Sequence, residues 1–399
     1  MKALTSEELR AQIPFLSTVA YLDSASVVPT SNLALEAMNR YAAECPLNYG
    51  VGEFPASKDA CARVDAVRQK LADFIHAASP EEIVFTKNTT EAINMVAYGG
   101  PWEKGDEVIL TSLEHQSNYM PWLRLAQEKG IVLKIAQADI NGVVSAESVK
   151  ALLSPKTKLI NVTYVSNIYG TITPVEEIGE IARAAGVYYM IDAAQAGGRL
   201  EMNVQKTSCD FMTICGRKSM MGPQGTGALY IKGKYAELLA PMNIGSRSGH
   251  VLSADSMMLN KTPYRYEAGV LNTAGVIGLG VAVDTLASIG MDKIYERNAE
   301  MTQYMIDGLL EIPEVELYGG HDAHAMAGAI SWNVKGHSCS EIASRLGSEC
   351  NVAVASGAQG ALLAIQPLGI KGVVRTSVHY FTSKEDIDAL LNGLKKILH

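Results

Sequence analysis

From residue 81 to residue 233 the chain alternates short apolar segments with amphipathic ones, and this alternation limits the fold more than any other feature. The apolar segments have the length of strands, and the segments between them have the apolar spacing of helices. Strands that alternate with helices form a largely parallel sheet with helices on both faces. We therefore expect an α/β fold. The predicted strands lie in EEIVFT, DEVILTS, VLKIAQAD, TKLINVTYVSN, VYYMIDAAQ, DFMTICG and GTGALYIKG.

The pattern changes near Val281, where a long helical stretch leads into shorter strands and helices. A chain of 399 residues is also too long for one small core. These observations predict a large domain of residues 21–280 and a smaller α+β domain formed by residues 1–20 together with residues 281–399.

Charge and composition exclude several classes of partner. The formal net charge is -8 and no block of lysine and arginine stands out, which argues against nucleic acid. The longest apolar run, residues 274–290, is interrupted by Asp284 and favours a buried helix over a membrane span. The N-terminus lacks the apolar core of a signal peptide, and the six cysteines form no CxxC pair. We expect a cytoplasmic protein, and no metal site is predicted.

Polar residues follow the predicted strands at or just beyond their carboxyl ends. Ligands of open α/β sheets bind beyond those ends, so we expect these side chains to meet in one site. They are Thr89, His115, Asn167, Asp192 and Lys218.

Asp192 and Lys218 allow both a structural and a chemical interpretation. Asp192 ends an apolar strand, where a carboxylate is costly to bury alone. It is either a helix cap or ion-pair partner, or the carboxylate that holds the protonated ring nitrogen of pyridoxal 5′-phosphate (PLP), a cofactor that stabilises negative charge. Lys218 precedes the glycine-rich GPQGTG; a desolvated lysine near other cations can form a Schiff base with that cofactor.

The segment TKNTTEAIN places Thr89 and Thr90 before a predicted helix. Hydroxyls and free amides at a helix N-terminus suit a phosphate group, although an ordinary threonine cap fits equally well. His115 in SLEHQSN is either a ring-stacking or proton-exchanging histidine or a core residue.

Taken together, these motifs resemble the class V aminotransferase family of PLP-dependent enzymes, of fold type I, with most likeness to the cysteine desulfurase and selenocysteine lyase branch. The resemblance covers nearly the whole chain. It implies a large domain with a mostly parallel, seven-stranded sheet and a smaller α+β C-terminal domain. The matching segments are YLDSASVVPT, FTKNTTEAINMVAYG, EHQSNYMPW, VSNIYGTITPVEEI, IDAAQA, GRKSMMGPQGTGALY, RYEAGVLNTAGVIGLG and VVRTSVHYFTSKEDID.

By position in these motifs, Lys218 resembles the Schiff-base lysine and Asp192 the partner of the ring nitrogen. His115 matches the ring-stacking histidine. Gln195 and Asn167 match contacts to the region of the ring hydroxyl.

The resemblance assigns the phosphate cradle to Thr89 and Thr90. Cys215 and Arg217 stand where the family usually has serine and histidine. A cysteine is a poorer hydrogen-bond donor than a serine, whereas an arginine adds charge.

Two further matches concern the substrate and the assembly. Arg375 resembles the arginine that pairs with the α-carboxylate of the substrate, a task that suits a bidentate guanidinium. Thr273 resembles a threonine that reaches the phosphate of the neighbouring subunit's cofactor. The resemblance thus implies a homodimer with shared active sites and an amino acid as substrate.

The chain departs from the desulfurase pattern where sulfur is accepted. The nucleophilic cysteine of that branch corresponds to Gly360, and an arginine common there corresponds to Ala355. Cys350 lies at a predicted helix end and is not expected to replace the nucleophile.

Three functions follow from this combination. The first is a PLP-dependent lyase that cleaves C–S or C–Se bonds without a persulfide cysteine, with Lys218 as the base. The alternative is an aminotransferase or epimerase that acts on a non-sulfur amino acid. The third is not an enzyme but a degenerate PLP protein that serves as a partner or regulator.

Overall fold

The computed structural model describes residues 2–47, 49–50 and 52–399. Its helices are α1 (Ser6–Ala11), α2 (Asn32–Glu44), α3 (Pro55–Phe74), α4 (Thr89–Gly99), α5 (Gln116–Lys129), α6 (Ala146–Lys150), α7 (Val175–Ala185), α8 (Val204–Thr207), α9 (Thr273–Ile289), α10 (Met291–Leu310), α11 (Cys339–Cys350), α12 (Leu362–Ile365) and α13 (Lys384–Leu398). Its strands are β1 (Ala20–Tyr21), β2 (Ile83–Thr86), β3 (Glu107–Thr111), β4 (Val132–Ala136), β5 (Thr157–Thr163), β6 (Tyr188–Asp192), β7 (Phe211–Cys215), β8 (Gly227–Ile231), β9 (Gly249–Ser253), β10 (Ser256–Leu259), β11 (Val315–Tyr318), β12 (Ala329–Val334), β13 (Val352–Ala353), β14 (Ala355–Gly357) and β15 (Val373–Ser377).

Seven strands form the large sheet in the order β2-β8-β7-β6-β5-β3-β4. Each of the seven apolar segments singled out in the sequence supplies one of them. All neighbours pair in parallel except at β8, which runs antiparallel to both β2 and β7. Every residue of β2, β3 and β7 is buried, because helices cover both faces of the sheet. The predicted α/β fold is confirmed.

The C-terminal part of the chain forms a second, antiparallel sheet in the order β11-β12-β15-β14. The N-terminus packs on this part: β1 pairs with β13, and the guanidinium of Arg10 lies 2.7 Å from the carboxylate of Asp386 at the start of α13. The division of the chain at residue 280 stays a prediction, and this residue lies inside α9.

Helix α9 is the predicted apolar helix, and most of its residues are buried against α2 and α3. Within the described ranges no individual helix combines the length and apolarity of a membrane span; α9 and α10, bent by 80° where they meet, reach that threshold only when they are counted together.

Local signals explain how the site is placed. Strands β2, β3, β5, β6 and β7 are related by parallel direction, so their carboxyl ends lie along one edge of the sheet. Helix α5 then begins at its cap His115 and ends at Gly130, whose φ of 73° is the left-handed conformation that glycine adopts readily. The turns after these strands therefore carry their polar side chains to a common place.

Candidate active site

A cavity of about 340 Å³ lies at the carboxyl edge of the large sheet. Ten of the eleven site residues predicted from the sequence line it. They are Thr89, Thr90, His115, Asn167, Asp192, Gln195, Cys215, Arg217, Lys218 and Arg375, and the lining also includes Ser26, Asn88, Ser117, Thr163 and Gln359.

Lys218 lies in the turn after β7 and is partly accessible from the cavity. No ion pair or hydrogen bond of its amine occurs in the part of the chain that the structure describes. Burial lowers the pKa of Lys218, and the charges of Arg375 and Arg217 act in the same direction, whereas Cys215 and Asp192 oppose the shift. The amine therefore loses its proton more readily than an exposed lysine and is available as a nucleophile or base.

Asp192 is the last residue of β6 and is only 3% exposed. Its Oδ1 accepts hydrogen bonds from the backbone N–H of Ala194 and the hydroxyl of Thr213, both at 3.0 Å. Burial raises the pKa of Asp192, while the charge of Lys218 and these two bonds lower it. Its Oδ2 has no hydrogen-bond donor among the described residues, so the carboxylate can receive one from a ligand.

His115 caps α5, and its Nδ1 accepts a hydrogen bond from the backbone N–H of Ser117 at 3.1 Å. In a neutral imidazole this bond assigns the proton to Nε2. Burial, followed by the positive charges of Lys218, Arg375 and Arg217, lowers the pKa of His115 to about 4. The ring is therefore neutral at neutral pH and presents an Nε2–H donor.

Arg375 is buried and already has a counter-ion. Its Nη2 donates to Asp23 Oδ1 at 2.9 Å and to Ser26 Oγ at 2.6 Å, and its Nη1 donates to the backbone carbonyl of Asn167 at 3.2 Å. Its Nε is buried and has no hydrogen-bond partner in the described part of the chain. Burial lowers the pKa of Arg375, and Asp23 counteracts this shift.

The N-terminus of α4 differs in one detail from the sequence interpretation. Asn88, not a threonine, is the cap, and its side chain accepts a hydrogen bond from the N–H of Glu91 at 2.9 Å. Thr89 and Thr90 are the first two helical residues, and within the described chain their backbone N–H groups have no acceptor. The alternative of a threonine cap was wrong, because the asparagine one residue earlier satisfies that role.

Two side-chain amides in the cavity are each held by one bond. Gln195 Nε2 donates to the carbonyl of Ala25 at 2.9 Å, and Asn167 Nδ2 donates to the carbonyl of Gln359 at 2.8 Å. The other amide atoms, Gln195 Oε1 and Asn167 Oδ1, are buried and have no hydrogen-bond partner among the described residues. Buried polar atoms are normally paired, so these two indicate a ligand that completes their hydrogen bonds.

The residues fit PLP. The free amides at the start of α4 suit its phosphate, and Arg217 in the same cavity lining adds positive charge. The unpaired Oδ2 of Asp192 suits its ring nitrogen, and the amine of Lys218 suits its aldehyde. The unsatisfied amide atoms suit its ring hydroxyl.

Two residues discussed from the sequence lie elsewhere. Thr273 is the first residue of α9 and does not line the cavity of its own chain. The sulfur of Cys350 lies 3.9 Å from the carbonyl of Gly393, at the end of α11. In the described chain, Cys215 is the one cysteine in the cavity lining.

Sequence reasoning missed Ser26, Asp23, Asn88 and Gln359. Asn88 carries a usable signal, since an asparagine three residues before a glutamate at a helix start is a capping pattern. The other three reach the site through contacts between distant segments, for which the local sequence gives no signal.

Comparison with known proteins agrees with this geometry. A family model described as Aminotransferase class-V matches residues 20–390. A probable cysteine desulfurase of Methanothermobacter thermautotrophicus is 37% identical, with 99% of this chain and 98% of the relative covered. The apo structure of a cysteine desulfurase from Thermococcus onnurineus NA1 is 34% identical, has a TM-score of 0.96, and covers 100% of this chain and 99% of its own. A structure with glycine covalently linked to a PLP cofactor is similar in fold, at 24% identity and a TM-score of 0.85 over 96% of this chain and 98% of its own.

Proposed function

Because the chain belongs to the class V aminotransferase family, a family of PLP-dependent enzymes, we propose that it cleaves the C–S or C–Se bond of a small amino acid without forming a persulfide at position 360. The observation that carries the proposal is the free, pKa-lowered amine of Lys218 in one cavity with Asp192 and Arg375. The cavity of about 340 Å³ has to hold cofactor and substrate together, which favours a small substrate.

Each residue has a role in this proposal. Bound PLP supplies an electron sink for negative charge at the substrate's α-carbon. Asp192 accepts a hydrogen bond at Oδ2 from the ring nitrogen and keeps it protonated. The Nζ of Lys218 takes the proton from the α-carbon, which its lowered pKa favours at neutral pH.

Arg375 orients the substrate. Its guanidinium binds the α-carboxylate, and Ser26 and Asp23 hold that guanidinium in place. Loss of the proton and of the β-substituent then releases sulfide from cysteine, selenide from selenocysteine or cysteine persulfide from cystine, and hydrolysis of the remaining fragment gives pyruvate and ammonia. No cysteine takes part, in keeping with the glycine at position 360.

The test is to incubate the holoenzyme with cysteine, cystine and selenocysteine and to measure pyruvate, alanine, and sulfide or selenide. Pyruvate supports elimination when it appears together with sulfide from cysteine, selenide from selenocysteine or cysteine persulfide from cystine. Alanine as the main product from cysteine contradicts the proposal, because it indicates transfer of sulfur to a nucleophile. No turnover of any of the three substrates also overturns it.

A second candidate function is transamination or epimerisation of a non-sulfur amino acid. Gly360 and Ala355 favour it, since both depart from the desulfurase pattern and Ala355 pairs with Arg375 across β14 and β15. A cofactor absorbance change with one amino donor that a keto acid reverses supports transamination, and exchange of the α-hydrogen with inversion supports epimerisation.

We further propose that the enzyme is a cytoplasmic homodimer with shared active sites. Thr273 does not line the cavity of its own chain and is partly exposed, as expected if it contributes to the site of a neighbouring subunit. The hairpin of β9 and β10 also exposes apolar side chains that a partner would cover. These are Val251, Leu252, Met257 and Met258, each more than half exposed.

A further inference from the structure

The loop between β14 and α12, residues 358–361, forms one wall of the cavity. Gln359 and Gly360 have φ angles of 51° and 67°, so two consecutive residues adopt the left-handed conformation. This conformation turns the loop sharply enough for Gln359 to line the cavity next to His115.

Hydrogen bonds hold the loop against the cavity. The backbone N–H of Gln116 donates to the carbonyl of Gly360 at 2.6 Å, and the side chain of Asn167 donates to the carbonyl of Gln359 at 2.8 Å. Behind the loop, Ala361 is fully buried and the hydroxyl of Tyr169 donates to the carbonyl of Ala364 at 2.6 Å. Hydrogen bonds therefore hold the loop to α5 and to the turn after β5. Tyr169, in that same turn, also holds α12, which directly follows the loop.

This position of the loop depends on the glycine at position 360. A Cβ added there would lie 2.5 Å from Nε2 and 2.9 Å from Cδ2 of His115, which is closer than carbon atoms approach such groups. A side chain at this position would have to push the loop or the imidazole away. The loop thus acts as a fixed wall rather than as a carrier of a reactive group.

Gln359 lies at the substrate end of the cavity. Its carbonyl is bound by Asn167, whose own carbonyl is bound by Arg375, the proposed partner of the α-carboxylate. Asn167 and Gln195 each use their side-chain amide to bond the backbone. The side-chain amide of Gln359 makes no hydrogen bond in the described parts of the chain, so it is available to a ligand.

We propose that Gln359 is a specificity-determining residue that recognises the side chain of the substrate, and that it selects amino acids with an uncharged hydrogen-bonding group beyond Cβ. This inference rests on the proposed function in one respect, namely that the ligand is an amino acid held by Arg375. It adds the class of side chain that the site accepts.

The test is a binding titration of the holoenzyme that follows the cofactor absorbance. The probes are L-serine and L-alanine, which differ by one hydroxyl. In the wild type we expect serine to bind about tenfold more tightly, the effect of a single hydrogen bond. In Gln359→Met, which has a similar length and no amide, we expect this preference to fall to about onefold while the affinity for alanine changes less than about twofold.

Gln366→Ala is the matched control, because Gln366 lies in the same segment, is exposed and does not line the cavity. It should keep the wild-type preference. A preference that survives in Gln359→Met, an equal loss of affinity for both probes, or no saturable change with either probe in the wild type overturns the proposal. Failure of the lyase proposal is separate, since it appears as absent turnover of cysteine, cystine and selenocysteine while the serine preference remains.

Discussion

Lys218, Asp192 and His115 differ in chemistry, but burial is the largest cause of the pKa shift of each. It favours a neutral amine and a neutral imidazole, and it opposes ionisation of the carboxylate. A ligand that places a positive charge next to Asp192 counteracts the effect of burial on this residue, because the charge favours the ionised carboxylate. These properties support the proposed pairing of Asp192 with a cationic ring nitrogen.

Replacing Lys218 by alanine removes the proposed base without adding bulk. We expect turnover to fall by about 10³-fold, within the range of general acid–base contributions. Lys218→Arg keeps a positive charge but provides no neutral amine, so we expect its turnover to fall by a similar factor. The measurement is kcat of the purified holoenzyme, and a variant that retains a tenth of the wild-type rate contradicts the assignment.

His379 gives a pH dependence to stability. It is fully buried, and its Nε2 lies 3.0 Å from the carbonyl of Ser219, whereas its Nδ1 has no hydrogen-bond partner within the described ranges. Burial lowers its pKa from 6.5 to about 3, and Arg199 contributes to the shift. Between these pH values the unfolded chain binds the extra proton, so the free energy of unfolding falls as the pH drops through this window.

From pH 7 to pH 5, His379 should account for a loss of about 2 kcal/mol in the free energy of unfolding. Denaturant titrations at the two pH values measure it. Between these pH values the His379→Gln variant should lose correspondingly less free energy of unfolding. His321→Gln, at an exposed position, should lose as much as the wild type. An unchanged pH dependence in His379→Gln would show that this residue is not the cause.

Among the helices and loops, α4 offers a test in which stability and ligand binding separate. Asn88→Ala removes the cap and should cost about 1 kcal/mol of unfolding free energy. Because α4 also presents Thr89 and Thr90 to the cavity, the same change should weaken the affinity for PLP several-fold.

Ser338→Ala is the matched control for this change. Ser338 caps α11, a helix of 12 residues compared with 11 in α4, and does not line the cavity. Denaturation curves and PLP titration should show similar destabilisation of both variants and weaker PLP binding only in Asn88→Ala. Equal PLP affinities would remove α4 from the phosphate site.

The cavity loop provides a second test at this scale. Gly360 and Gly369 have φ angles of 67° and 68°. An added Cβ meets His115 at position 360, whereas at position 369 it meets no atom of the described residues within 4 Å. Alanine at either position should cost about 1 kcal/mol for the left-handed backbone. Only Gly360→Ala should also speed hydrogen exchange of the Gln116 amide, because that amide loses its acceptor.

Strands and loops differ in how well the sequence predicts their place in the fold. Buried parallel strands are continuous apolar runs, so their carboxyl ends, and with them Asp192 and Lys218, were placed correctly from the sequence. Gln359 and Ser26 were not, because each joins the site through contacts with residues far away along the chain. Thr273 was read from the resemblance, and its role stays a prediction because it concerns a second subunit.

For the molecule as a whole, the proposed homodimer makes Thr273 a residue of the neighbouring site. Thr273→Ala should weaken PLP binding in a homodimer, while Lys218→Ala should lower turnover by about 10³-fold. Mixing the two variants under conditions that exchange subunits should then restore activity, since one site of each mixed dimer combines an intact Lys218 with an intact Thr273 from its partner.

Activity of the mixture is the measurement, and the unmixed variants are its controls. Random exchange makes half of the dimers mixed, each with one complete site. If the mixture is only as active as the average of the two variants, Thr273 acts within its own chain or not at all.

The cavity joins Ser26, near the beginning of the chain, to Arg375, near its end. During synthesis on a ribosome the second of these residues emerges long after the large sheet has been translated. A nascent chain can therefore form the strands that carry Asp192 and Lys218 before the proposed partner of the α-carboxylate has been made. On that proposal, a chain that still lacks Arg375 is unable to bind the substrate.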